Sequence, residues 1–201
     1  MTQLQTDISI FLDISGKYIN PLKSFQEQKE QFEEEIKELV KAMVDNNTTE
    51  IVDGIGDCNF VLVTLELILD RVVGTSAEFL QEELDECTAA FKKLLKQLPA
   101  VNQAFIDEVT REVTNSNLTK FDTNQNDVTE TVKHYVNLGV ETVPMYMTQY
   151  DLYYVVSIKD QTDYNGKTYH KGKILKSKSR YKEPDFTQLK YMYLLGESYV
   201  D

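Results

Sequence analysis

The chain has 201 residues, 41% of them apolar, and a net charge of −12. That length supports one sizeable core with a smaller appendage, and that apolar share excludes wholesale disorder. The acidic balance argues against a general nucleic-acid partner, which needs a basic face for phosphates.

The start, MTQLQTDISIF, lacks the basic and apolar blocks of a signal peptide. The most apolar run, residues 60–73, contains Glu66 and Asp70 and is too short to span a bilayer. No membrane partner is expected. Cys58 and Cys87 form no CxxC pattern and read as buried thiols of a cytoplasmic protein. Residues 1–150 hold 26 acids against 12 bases, and residues 151–201 hold 7 against 9. An acidic body with a slightly basic tail separates metal-ligand chemistry from phosphate-binding chemistry.

In chain order, residues 6–17 show a weak helical stripe ending near Gly16. Asn20-Pro21 breaks the chain and opens a helix over 22–44, with Leu22, Phe25, Phe32, Ile36, Leu39, Val40 and Met43 at helical spacing. After a polar break, Thr48 or Thr49 caps a helix over 50–73 that Gly74 stops, and Thr75 or Ser76 caps the next over 77–98, ended by Pro99. A further helix covers 101–113, residues 114–127 read as loop, and a short helix covers 128–138. Composition then changes: 150–158 is Tyr-, Val- and Ile-rich like a strand, Asn165-Gly166 marks a turn, and 168–177 is the returning strand. Pro184 opens a final segment. The expected fold is mainly α, an antiparallel helical bundle over 1–122 with a β-hairpin-containing extension over 123–201.

The chemistry concentrates in EEEIKEL at 33–39 and EIVDGIGDCNFVL at 50–62. Glu35 and Glu38 share a helix face at three residues apart, as do Glu34 and Glu38 at four. Glu50, Asp53 and Asp57 form a second acidic stripe. The short connection between the helices packs them antiparallel, so the stripes face one another. Crowded carboxylates beside apolar Ile36, Leu39, Ile51, Val52 and Ile55 repel, and a hard dication such as Mg²⁺ relieves the repulsion. The alternative is an exposed face paired with Lys29, Lys37 and Lys41. His134 and His170 are only two and far apart in sequence, which argues against a histidine-based metal site, and the chain has neither a GxxxxGK(S/T) P-loop nor a GxGxxG Rossmann motif.

These segments resemble the MazG-like and phosphoribosyl-ATP pyrophosphohydrolase-like superfamily of all-α nucleotide pyrophosphohydrolases, whose hallmark is EExxE on one helix and ExxD on the next. Glu34-Glu35-Ile36-Lys37-Glu38 matches the first half. For the second half, Glu50-Ile51-Val52-Asp53 matches literally, while Gly56-Asp57-Cys58-Asn59-Phe60 resembles the family's glycine-aspartate step and puts Gly54 where a Glu is expected. Ser116-Asn117 and Lys120, with the run 166–186, resemble segments of phage-type relatives.

The resemblance implies Mg²⁺-dependent cleavage of a nucleoside triphosphate to monophosphate and pyrophosphate, with Mn²⁺ as a substitute. It implies Glu35, Glu38, Asp53, Asp57 and Glu50 as metal ligands and Glu34 or Glu35 as general base. Lys120, Lys171, Lys173 and Lys176 are the candidates for holding pyrophosphate, and Asn117 for reading a base edge. It also implies a homodimer or homotetramer. The competing functions are a non-catalytic helical interaction protein with a degenerate motif, which Gly54 favours, and a phosphoribosyl-ATP pyrophosphohydrolase.

Overall fold

A computed structural model of the protein describes residues 1–98 and 101–196. In chain order its elements are α1 (Gln3–Ile14), α2 (Pro21–Val44), α3 (Thr48–Leu69), α4 (Thr75–Leu95), α5 (Gln103–Leu118), α6 (Gln125–Asn137), β1 (Thr142–Met147), β2 (Leu152–Ser157), β3 (Gln161–Thr162), β4 (Thr168–Tyr169) and α7 (Thr187–Leu195). The fold is mainly helical with small antiparallel strand pairs, as expected. Two compact units divide the chain: Met1–Thr114 with Pro184–Asp201, and Asn115–Glu183. None of the helices in the described residues is long and apolar enough to cross a membrane.

The first unit is built around α3. This helix is apolar nearly all round, and Val52, Ile55, Cys58, Leu65 and Ile68 are fully buried, the signature of a core helix. Helices α1, α2, α4 and α7 pack against it. Phe11 of α1 meets Phe60 edge-on at 5.6 Å. Lys29 of α2 pairs with Glu83 of α4 at 2.6 Å, and Gln26 donates to the same carboxylate. The apolar surplus of α3, a reason to expect self-association, is therefore covered within the chain; on α4, Phe79 is the large apolar residue left exposed.

Gly56 permits the closest approach to α3. A Cβ there would stand 2.7 Å from Val113 Cγ2, 2.8 Å from Val109 Cγ1 and 3.2 Å from the Val109 carbonyl oxygen. Alanine would gain about 1 kcal/mol of helix propensity, but the overpacking costs about 1–3 kcal/mol against stiff β-branched neighbours. Gly56→Ala should lower stability by about 1 kcal/mol net and Gly56→Val by more than about 2 kcal/mol in urea unfolding. An unchanged midpoint for Gly56→Val would mean α5 is not seated on α3 here.

Several boundaries differ from the sequence reading. Asn47, not Thr48 or Thr49, caps α3, its side chain accepting from the Glu50 N–H. Helix α3 stops at Leu69 rather than Val73, because the Arg71 and Val72 N–H groups turn to carbonyls three residues back and tighten the end. Gly74 (φ +81°) precedes α4 without a side-chain cap, so Thr75 and Ser76 lie inside that helix. Pro99, read as the stop of that helix, lies outside the described residues. The expected 114–127 loop is mostly helix: α5 continues to Leu118, with the Thr110 and Thr114 hydroxyls bonded to carbonyls one turn back. Helix α6 already starts at Gln125, capped by Asn124.

In the second unit the hairpin is also not the expected one. Strand β2 forms its ladder with β1, an element the sequence reading omitted, while of the expected 168–177 strand only residues 172–175 bond to it, through an isolated antiparallel bridge at Val156 and Ile174. Asn165-Gly166 does form its turn, but closes only the two-residue β3–β4 ladder. Asp163 organises it by accepting from the Asn165 and Lys167 N–H groups and the Tyr169 hydroxyl. On its other edge β2 receives Asp122 and residues 172–175: Tyr153 and Asp122 exchange both backbone bonds, and Leu175 N–H donates to the Val155 carbonyl. Val128, Tyr135, Val140, Val155, Tyr169 and Leu175 form the core beneath.

Because Tyr153 gives its backbone bonds to Asp122, Tyr146↔Tyr153 is a non-hydrogen-bonded pair of the β1–β2 ladder. By alternation Pro144 directs its imide nitrogen to the outer edge of β1, where it has no N–H to offer an added strand. Pro144→Val should restore that donor and promote edge-to-edge association. Light scattering at rising concentration measures it, and unchanged monodispersity counts against this role for Pro144.

Candidate functional site

On α2 the buried positions Phe25, Phe32 and Leu39 recur every seven residues and face the core. Glu35 falls between Phe32 and Leu39 on the same stripe, so its carboxylate is half-buried, whereas Glu34 and Glu38 are exposed. On α3, Asp53 and Asp57 are four apart and half-buried, and Glu50 is exposed in the first turn. Leu39 contacts Gly54 across the α2–α3 hairpin, so Glu35 and Glu38 on one helix flank the same contact as Asp53 and Asp57 on the other.

The electrostatics register that convergence. Burial, followed by the Glu38, Asp53 and Glu34 carboxylates, pushes Glu35 up to about 7, against a Gln31 hydrogen bond that lowers it. Burial likewise drives the Cys58 thiol above its usual range, and Glu35, Asp57 and Glu38 push the same way. Glu35, Glu38, Asp53 and Asp57 thus act on common neighbours. Glu50 is not among the groups acting on Glu35 and stands apart.

Glu33, Glu34, Lys37, Glu38 and Lys41 are exposed, as the alternative has it, but its ion pairs do not form among the described residues. Lys29 is committed to Glu83, and among the described residues Glu34, Glu35, Glu38, Lys37 and Lys41 make no ion pair within 4 Å. The donor chemistry suits a hard cation: carboxylate oxygens on two facing helices, with a half-buried acid whose charge is disfavoured. As they stand, no three His, Cys, Asp or Glu side chains among the described residues are gathered into a group able to hold a metal ion. Sequence reasoning missed Gln31 and Cys58 as neighbours of the acids; Gln31 lies one helical turn before Glu35, which was the available signal.

Gly54 has a packing reason. A Cβ there would lie 3.2 Å from Leu39 Cβ and 3.3 Å from its Cα, so the glycine sits at the helix–helix contact. A Glu at this position would force α2 and α3 apart. Asp53, one residue away, and Asp57 occupy the half-buried positions instead.

The remaining candidates lie in the second unit. Lys120 donates to the Asn117 side-chain carbonyl at 2.6 Å, so these two engage each other. Lys176 pairs with Glu183 at 2.9 Å and lies over the Tyr181 ring. Lys171 and Lys173 are exposed on the segment that borders β2. His134 and His170 are not grouped with acids into a metal set; His170 sits 3.5 Å from Asp160.

Comparison of this chain with protein-family models, with curated proteins and with solved structures gave no match.

Proposed function

We propose that the protein is a Mg²⁺-dependent nucleoside triphosphate pyrophosphohydrolase of the MazG-like kind, working from the α2–α3 hairpin of the first unit. The observation that carries this reading is that Glu35 ionises late, held up by burial and by the field of Glu38, Asp53 and Glu34 on the two facing helices. Like charges held together at a half-buried position are unfavourable for folding alone, which argues for a cationic ligand.

Glu35, Glu38, Asp53 and Asp57 would hold the Mg²⁺, with Mn²⁺ as substitute. Bound there, the ion would offset triphosphate charge and orient a water. Glu35, titrating near neutrality, is suited to take the water's proton, with Glu34 on the next exposed position as the other candidate base. The Ile51, Val52 and Ile55 side chains beneath the acids keep that end of α3 dry and the carboxylates fixed. Asn117, Lys120, Lys171, Lys173 and Lys176 remain expectations of the resemblance, and the reading does not depend on them. Self-association as a homodimer or homotetramer belongs to the same proposal.

The test is pyrophosphate release from a panel of canonical and modified nucleotides, phosphoribosyl-ATP included, with Mg²⁺, with Mn²⁺ and with a chelator. Pyrophosphate and monophosphate, lost on chelation, are expected. No turnover with any substrate and no Mg²⁺-dependent rise in Tm would reject it for the second reading, a non-catalytic helical partner. That reading is favoured by the lack of a closed ligand group among the described residues.

A further inference from the structure

The net charge of −12 is not shared between the units. Residues 1–114 with 184–201 hold 25 acids and 11 bases, whereas residues 115–183 hold 8 acids and 10 bases. Two of those eight, Asp122 and Asp163, are buried and saturated with hydrogen bonds, so the accessible surface of the second unit is more basic than the count. Beyond a Debye length of about 8–10 Å in physiological salt, a ligand on this surface responds to local charge and not to the total.

The bases are arranged. Lys171, Lys173, Lys176, Lys178, Arg180 and Lys182 fall within 12 residues that contain no acid. Buried Asp122 anchors the second half of this run. Its carboxylate accepts from the Thr131 hydroxyl at 3.1 Å and from the Ser177 hydroxyl. Ser177 Oγ accepts in turn from the Arg180 N–H at 3.0 Å, and Tyr181 N–H donates to the Ser177 carbonyl, closing one turn. The Arg180 guanidinium donates one N–H to the Phe121 carbonyl. Lys178 and Lys182 are exposed. Glu183 is taken by Lys176, and Glu130 accepts from the Ser179 hydroxyl beside the turn.

The same backbone places an aromatic pair nearby. Asp122 is bonded to Tyr153, and Tyr153 stacks on Tyr146 with ring centroids 4.6 Å apart and planes at 33°. Tyr146 is 49% exposed. Asp122 joins the two features: its backbone bonds Tyr153, and its carboxylate holds the Ser177 hydroxyl that opens the cationic turn.

We propose that this face of the second unit binds single-stranded nucleic acid, with Tyr146, backed by the half-buried Tyr153, stacking a base and Lys178, Arg180 and Lys182 holding backbone phosphates. Aromatic platforms beside a cationic track are what sequence-tolerant single-strand binding requires. The whole-chain charge that argues against such a partner resides in the first unit. This inference is independent of the pyrophosphohydrolase reading and does not use its acids.

The test is fluorescence anisotropy of a labelled oligothymidylate of about 15 nucleotides titrated with the full chain. Saturable binding is expected in about 50 mM salt, weakening at least about tenfold by 200 mM as released counterions accumulate. Lys178→Glu with Lys182→Glu should weaken it at least about tenfold, with circular dichroism unchanged because both side chains are exposed. Tyr146→Ala should weaken it about tenfold while leaving the slope against salt unaltered, since a ring releases no counterion. Absence of saturable binding in low salt, affinity that survives the double charge reversal, or equal affinity for a duplex of the same length each overturns the proposal.

Discussion

Glu38→Gln and Asp57→Asn should each lower pyrophosphate release by about a thousandfold, while the protein unfolds at the same or a slightly higher urea concentration. The kinetic loss follows from removing one anionic oxygen donor from a dication, whose stabilisation of developing phosphate charge is worth several kcal/mol, or about 10³ in rate. The stability expectation follows from the acids themselves. Glu38 is exposed and ion-paired to no described residue, and it raises Glu35 by its charge. Neutralising it relieves repulsion and removes no packing. Asp57 is half-buried beside Cys58, and asparagine preserves its shape. Initial rates with saturating Mg²⁺ measure the first effect, and urea midpoints in chelator measure the second. Two variants with wild-type turnover would dismiss this set of ligands; two that unfold early would make the acids structural.

Glu35→Gln should make the metal-free protein more stable at pH 8 by up to about 3 kcal/mol and leave it unchanged at pH 4.5. Burial and neighbouring carboxylates hold Glu35 at about 7 against the ordinary glutamate value of 4.5. Between those two pH values the folded state keeps a proton that the unfolded chain has released. Stability therefore falls as pH rises through that window and stays reduced above it. Glutamine keeps the hydrogen-bonding capacity toward Gln31 without the charge, so its stability loses this pH dependence. Residual solvent access makes the full figure an upper bound. Urea unfolding across pH 4.5–8 in chelator reads the difference. A Glu35→Gln protein less stable than wild type at pH 8 would show that this carboxylate is compensated. With Mg²⁺ present the order should narrow or reverse, because only the wild type retains the full ligand set and gains from binding.

The helices were legible wherever local chemistry and core patterning agree. Phe25, Phe32 and Leu39 at seven-residue spacing, Asn20-Pro21 at the start of α2 and the apolar run of α3 all point one way. Where they diverge, tertiary context wins. Thr114, Asn115 and Ser116 look like loop residues, yet Thr114 and Ser116 are buried and α5 runs through them. The Asn-Gly signal at 165–166 is correct for its turn and incomplete for the sheet, because β2 takes its ladder partner β1 from upstream and holds the downstream 172–175 segment only by an isolated bridge. A proline in β1 obscures that strand until the ladder shows Pro144 on the outer edge.

The candidate site divides in the same manner. Spacing alone placed Glu35 with Glu38, and Asp53 with Asp57, on common helix faces, because helical geometry is local and each pair is three or four residues apart. Which acid is half-buried, which is exposed, and that Glu35 titrates near 7 depend on how closely α2 approaches α3. Leu39 against Gly54 sets that approach, a contact between residues fifteen apart that no periodicity contains. The sequence by itself determined a mainly helical chain with two acidic stripes, since both follow from short-range pattern. Only the tertiary structure decided where the division between the −14 and the +2 falls, at residues 115–183 and not at 151–201, because α7 packs on α3 and so belongs to the first unit.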